Sequence, residues 1–151
     1  MKKSLAITSI AAAIIILVSC KKPDTSDLKA PGKRELLTSR KWVLSSMNTR
    51  SSGGAVTPVP LTSCETDDYL LFDGYMNFKS DQGACISNTF APQTDLGNWQ
   101  TTDNFSSINL FSNGGSYTYY GTYIINELTE STLIFSDNNS STVTQYNFKA
   151  Q

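Results

Sequence analysis

The sequence contains no histidine and only three cysteines among its 151 residues. Without imidazole there is no Ser-His-Asp triad and no side chain that naturally titrates near neutrality. No G-x-S-x-G elbow occurs, and the only glycine pairs, Gly53-Gly54 and Gly114-Gly115, lack the lysine and following helix of a phosphate cradle. Charge is scarce as well, with 12 basic and 13 acidic residues and a net charge of −1. A balance so close to zero gives no electrostatic footprint for nucleic acid. After residue 40 there is no sustained apolar spacing of three and four, so long amphipathic helices are excluded. What remains is a chain with 16 aromatic residues, none of them in the first 20.

Those first 20 residues carry Lys2 and Lys3, then a mostly apolar run from Leu5 to Val18, then Ser19 and Cys20. The run is 14 residues long and contains Thr8 and Ser9. A membrane-crossing helix needs roughly 17–25 residues, so residues 1–19 read as an export signal rather than a span. Leu17-Val18-Ser19-Cys20 resembles the lipobox of bacterial lipoproteins, in which the cysteine is lipidated and becomes the mature amino terminus. The resemblance implies lipidation at Cys20 and a membrane partner through two or more acyl chains, enough for stable anchoring. Residues 20–34 hold Lys21, Lys22, Lys29, Lys33 and Arg34 against Asp24 and Asp27, broken by Pro23, Pro31 and Gly32, and read as a flexible tether. Surface-exported lipoproteins of Bacteroidetes-type bacteria tend to carry an acidic cluster just after the cysteine. Lys21-Lys22-Pro23-Asp24 has none, which points to an outer-membrane anchor facing the periplasm.

Residues 35–151 are long enough for one core. Residues 35–40 predict a short helical turn. Beyond them, runs at 41–49, 68–72, 75–80, 97–102, 105–111, 116–127, 131–136 and 142–149 are rich in Tyr, Phe, Thr, Ile and Val. Asp73-Gly74 predicts a two-residue hairpin, and Asn113-Gly114-Gly115 predicts a second turn. The fold class is therefore all-β, about eight antiparallel strands that must hide one face and their edges. Short late connections favour an up-and-down barrel over a sandwich. Alternation puts Tyr117, Tyr119, Gly121, Tyr123 and Ile125 on one face. Two irregular stretches, 51–64 and 86–96, are expected as long loops at one mouth.

With Cys20 assigned, Cys64 and Cys85 are the remaining thiols of an exported chain and are expected to form a disulfide. A redox or metal site is disfavoured, because C-x-x-C spacing is missing, so no metal or cofactor is expected. Glu65, Asp67 and Asp68 form the densest acidic cluster, but their spacing is not that of a calcium loop. The preferred reading is a charged strand entry, with Asp68 opposite Lys79 across the hairpin. No pair of carboxylates stands out for glycoside hydrolysis. Tyr117, Tyr119 and Tyr123 could line a cavity, although sheet packing is the commoner role of such a stripe.

With strands and cysteines placed, the domain resembles the lipocalin-like lipoproteins common in Bacteroidetes. The resemblance lies in residues 37–46 around Trp42, in the run from Cys64 through Glu65, Asp67, Asp68 and Asp73-Gly74, in Cys85, in Gly97-Asn98-Trp99, and in residues 123–128 and 133–135. Lipocalins proper usually have glycine two places before the first-strand tryptophan, where this chain has Arg40. The resemblance implies a lipocalin-like barrel that is not an enzyme. Trp42, Trp99, Tyr119 and Tyr123 are the candidates for contacting a small hydrophobic ligand. The competing expectation is a structural or interaction module that meets another envelope protein, with a barrel filled by its own side chains.

Overall fold

A computed structural model describes residues 31–85, 93–112, 119–137 and 141–151. The expected leader, most of the expected tether and the expected Asn113-Gly114-Gly115 turn lie outside the described residues, as does Tyr117. The elements are α1 (Lys33–Thr38), β1 (Lys41–Ser51), β2 (Thr57–Val59), β3 (Tyr69–Phe72), β4 (Asn77–Asp81), β5 (Thr94–Thr101), β6 (Ser107–Ser112), β7 (Gly121–Leu128), β8 (Thr132–Asp137) and β9 (Thr142–Ala150). Lys33 and Arg34, at the end of the compositional tether, form the first turn of α1.

Every strand pair is antiparallel. From β3 onward each strand pairs with the next, and β9 returns to β1 along Trp42–Ala150 to Ser51–Thr142. Eight strands thus close an all-β barrel with no edge running its whole length. β2 is the ninth strand, unforeseen because it has three residues and contains Pro58. It pairs with the far half of β1 through Met47–Val59, while the near half pairs with β3.

The registers separate two ends. At one, α1 lies beside the turns after β3, β5 and β7. Lys33 Nζ donates to Asn104 O at 3.1 Å and Arg34 Nη2 to Gly74 O at 2.8 Å. The other end carries the 52–68 connection, both cysteines and the flanks of the three internal undescribed segments. The 51–64 stretch, which contains β2, leaves from this end, and so do the residues that flank 86–92. The rest of the expected 86–96 loop is either outside the described residues or, from Thr94, part of β5. Arg40 replaces the expected glycine without opening the helical end. There the Trp42 indole N–H donates to Leu37 O at 2.9 Å, and both residues are wholly buried.

Two local expectations are corrected. Asp73-Gly74 is not a two-residue hairpin, since Phe72 pairs with Phe78 and the turn extends over residues 73–77. Asp73 Oδ1 accepts the N–H groups of Tyr75 and Asn77, both at 2.8 Å, and Met76, not Gly74, takes the left-handed conformation at φ 67°. The aspartate side chain has organised a wider turn than the dipeptide suggests. Asp68 does not face Lys79 either. Lys79 pairs with Leu71 in register and binds Asp81 at 2.8 Å on the outer wall, whereas Asp68 is buried just before β3.

Candidate functional site: the barrel interior and its disulfide end

Alternation along β3–β5 turns Leu70, Phe72, Phe78 and Trp99 inward, where they are buried. Gly97 stands opposite Phe78, and a Cβ there would run into the Phe78 ring and the Phe111 carbonyl. The glycine therefore makes room for an aromatic ring. Trp99 meets Phe72 edge-on at 5.9 Å, while Arg34 covers its ring at 5.4 Å. On the opposite wall Tyr119, Tyr123, Phe135, Tyr146 and Phe148 form one cluster. Tyr123 and Phe135 are 4.6 Å apart between centroids, and Phe135 and Phe148 are 5.1 Å apart. Burial raises the hydroxyl pKa of Tyr119, Tyr123 and Tyr146, so all three stay protonated at neutral pH.

Trp42, Trp99, Tyr119 and Tyr123 thus all belong to the packed core. Trp99 also borders a pocket of about 360 Å³ at the helical end, together with Arg34, Met76 and Phe105. Trp42, Tyr119 and Tyr123 do not line that pocket.

Towards the disulfide end the inward positions become polar. Asp68, Ser80, Gln82 and Asp95 are all buried, and Ser80 pairs with Asp95 across β4 and β5. Composition gave no sign of this layer, since each residue is ordinary until register brings them together. Burial pushes the Asp68 carboxyl up to about 6, helped by the charges of Asp67, Glu65 and Asp81, and its Oδ1 has no hydrogen-bond partner among the described residues. Burial also pushes Asp81 upward, but hydrogen bonds from Lys79, Thr94, the Gly83 N–H and Tyr69 outweigh it and hold that carboxyl at about 2.

The acidic cluster is committed to the loops. Glu65 Oε2 accepts from Thr62 N–H at 2.7 Å, and Asp67 Oδ2 accepts from Ala84 N–H at 2.6 Å. Among the described residues, no three His, Cys, Asp or Glu side chains converge as metal donors. Cys64 and Cys85 are bonded, with Cα atoms 5.2 Å apart.

The two aspartates predict an unusual acid profile. A carboxyl raised to about 6 in the fold destabilises it at pH 7, and that penalty disappears as Asp68 protonates towards pH 4. Asp81 acts in the opposite sense, because its contribution is complete above about 4 and is lost as the pH falls towards 2. Urea midpoints should therefore rise from pH 7 through pH 5 to about pH 4 and fall as the pH drops towards 2. Asp68→Asn should raise the midpoint at pH 7 and flatten the upper limb. A wild-type midpoint no higher at pH 5 than at pH 7 would contradict this assignment.

A closed antiparallel barrel capped by one helix, with an aromatic interior, defines the class of eight-stranded up-and-down barrel proteins. The lipocalin-like domain model matches residues 39–135, from the residue before Arg40 to the middle of β8. The chain belongs to the lipocalin-like domain family. It is similar to the crystal structure of a lipocalin-like protein from Bacteroides uniformis, with 18% identity and a TM-score of 0.49 over 76% of this chain and 97% of that one. It is also similar to an uncharacterized protein from Bacteroides eggerthii, with 17% identity and a TM-score of 0.46 over 74% and 98% respectively. No curated protein matches it.

Proposed function

We propose that the protein is a lipid-anchored envelope module whose barrel is a filled scaffold, presenting the loops of its disulfide end to a protein partner. One observation carries the scaffold reading: the interior positions where an apolar guest would lie are occupied by rings in mutual contact, with Trp42, Phe135 and Phe148 wholly buried. Entry from the disulfide end would also pass Asp68, Ser80 and Asp95, a layer poorly suited to an apolar molecule. The reading is non-enzymatic, as lipocalin-like barrels generally are. The lipobox-like 17–20 segment supports the anchor, and the absence of an acidic cluster after Cys20 supports the periplasm-facing side of the outer membrane.

The full chain in detergent should show neither a saturable tryptophan-fluorescence change nor a rise in melting temperature with fatty acids, isoprenoids or porphyrins. A saturable response accompanied by a thermal rise, as mass action requires of a true ligand, would restore the carrier reading. The anchor is tested separately, because Cys20→Ala should retain the leader and abolish lipid labelling. Unchanged processing in that variant would leave a barrel without this anchor.

A further inference from the structure

The outer wall holds a polar pocket that the scaffold reading does not use. Register aligns Ser136 with Gln145 across β8 and β9, and Gln145 with Asn48 across β9 and β1. All three point away from the core, because Phe135, Tyr146 and Met47 point into it. A bulge in β7 between Ile125 and Glu127 frees Asn126 from the pairing opposite β8. Ser136 Oγ–H donates to Asn126 Oδ1, and Ser136 is only 6% exposed despite its place on the outer wall. Bulges commonly re-aim a side chain in this way beside functional sites. With one lone pair of its oxygen engaged, Asn126 still offers its amide NH2 as a donor. Asn48, Asn126, Ser136 and Gln145 border a pocket of about 200 Å³, with Arg50 and Val56 at its side.

Three carboxamides and a hydroxyl supply donors and acceptors side by side, which is the complement of vicinal sugar hydroxyls. Arg50 is the one formally charged residue bordering the pocket, and it makes no ion pair among the described residues. A planar guanidinium favours a carboxylate through paired N–H donors. The volume lies below the roughly 300–1,000 Å³ of drug-sized sites, so the ligand must be small. We propose that this pocket binds a carboxylate-bearing monosaccharide, a uronate, with the carboxylate on Arg50 and the ring hydroxyls on Asn48, Asn126 and Gln145. The site depends neither on the filled interior nor on the lipid anchor.

Saturation-transfer NMR titrations of the full chain in detergent with galacturonate and galactose test the proposal. Galacturonate should bind saturably and about tenfold more tightly than galactose, the worth of one charge-assisted contact of roughly 1.4 kcal/mol. Arg50→Gln should reduce galacturonate to the level of galactose without moving the melting temperature, because Arg50 is exposed. Gln145→Leu should weaken both sugars. Methyl galacturonide separates two sources of the same chemistry: binding like the free acid indicates a glycan end, and rejection indicates the free sugar, either of which sustains the site. No saturable galacturonate binding, or a preference over galactose that survives Arg50→Gln, overturns it.

Discussion

Trp42→Ala should lower the unfolding free energy by about 3–5 kcal/mol, the range for truncating a fully buried tryptophan. The indole is wholly buried on β1 between the backbones of β3 and β9, with Leu70 and Ala150 as its register partners. Deleting it opens a cavity where the barrel meets α1. It also removes the N–H that Leu37 O accepts, and Leu37 is itself wholly buried. A six-residue helix cannot persist without tertiary support, so α1 should detach before the barrel opens. Urea titrations should show the loss, with the melting temperature down by about 10–20 °C. Amide exchange at residues 33–40 should accelerate more than at β5 or β8. Trp42→Phe keeps most of the volume and should cost about 1–2 kcal/mol, chiefly through the unpaired carbonyl. A fully folded Trp42→Ala protein with unchanged exchange at α1 would show that the helix is held by Arg34 and Lys33 instead.

That prediction rests on features visible in the sequence, since Trp42 opens a β-rich run directly after a short helical signal. Strand existence was legible for the same reason, because the β-branched and aromatic runs stand between turn residues, and eight of them became the barrel. Strand ends were less legible. β5 begins three residues before the expected 97 because Asp95 is an inward polar residue, and no composition rule marks a buried aspartate as strand. The error at Lys79 has a related cause. Placing Asp68 opposite it assumed a tight two-residue turn, and the wider turn moved the register. The lysine then found Asp81 two positions along its own strand, on the same face.

The pocket was still less legible. Its residues come from four strands, and each looks like an ordinary solvent-facing amide or hydroxyl until barrel closure brings β1 beside β9. The displacement of Asn126 depends on a bulge that hydrophobic alternation does not reveal. The interior aromatics were visible individually, but whether they lined a cavity or filled one depended on ring-to-ring distances. Those distances follow from barrel diameter and from Gly97, which lets Phe78 cross the wall's inner surface.

Replacing both Cys64 and Cys85 by serine should destabilise the domain by about 2–4 kcal/mol. The bond spans 21 positions and joins the segment entering β3 to the one leaving β4, two strands already paired from Tyr69–Asp81 to Phe72–Phe78. In the chain-entropy model a closed loop of this size is worth roughly 3 kcal/mol through the unfolded state. Local contacts limit how far the native loop can relax. The Asp67 carboxylate seats the Ala84 N–H and lies against Gly83, which holds φ 65°, a conformation that glycine adopts without penalty. Those contacts survive in the double variant, so the loss should appear mainly as a lower urea midpoint and only weakly as faster exchange at residues 69–72 and 77–81. Reduction of the wild-type chain should reproduce the double variant, since both leave the same loop unclosed. If reduction were to cost nothing while the oxidised protein resisted alkylation at both positions, the 64–85 loop would already be closed by the Asp67 and Asp81 hydrogen bonds alone, and the bond's contribution would lie outside stability.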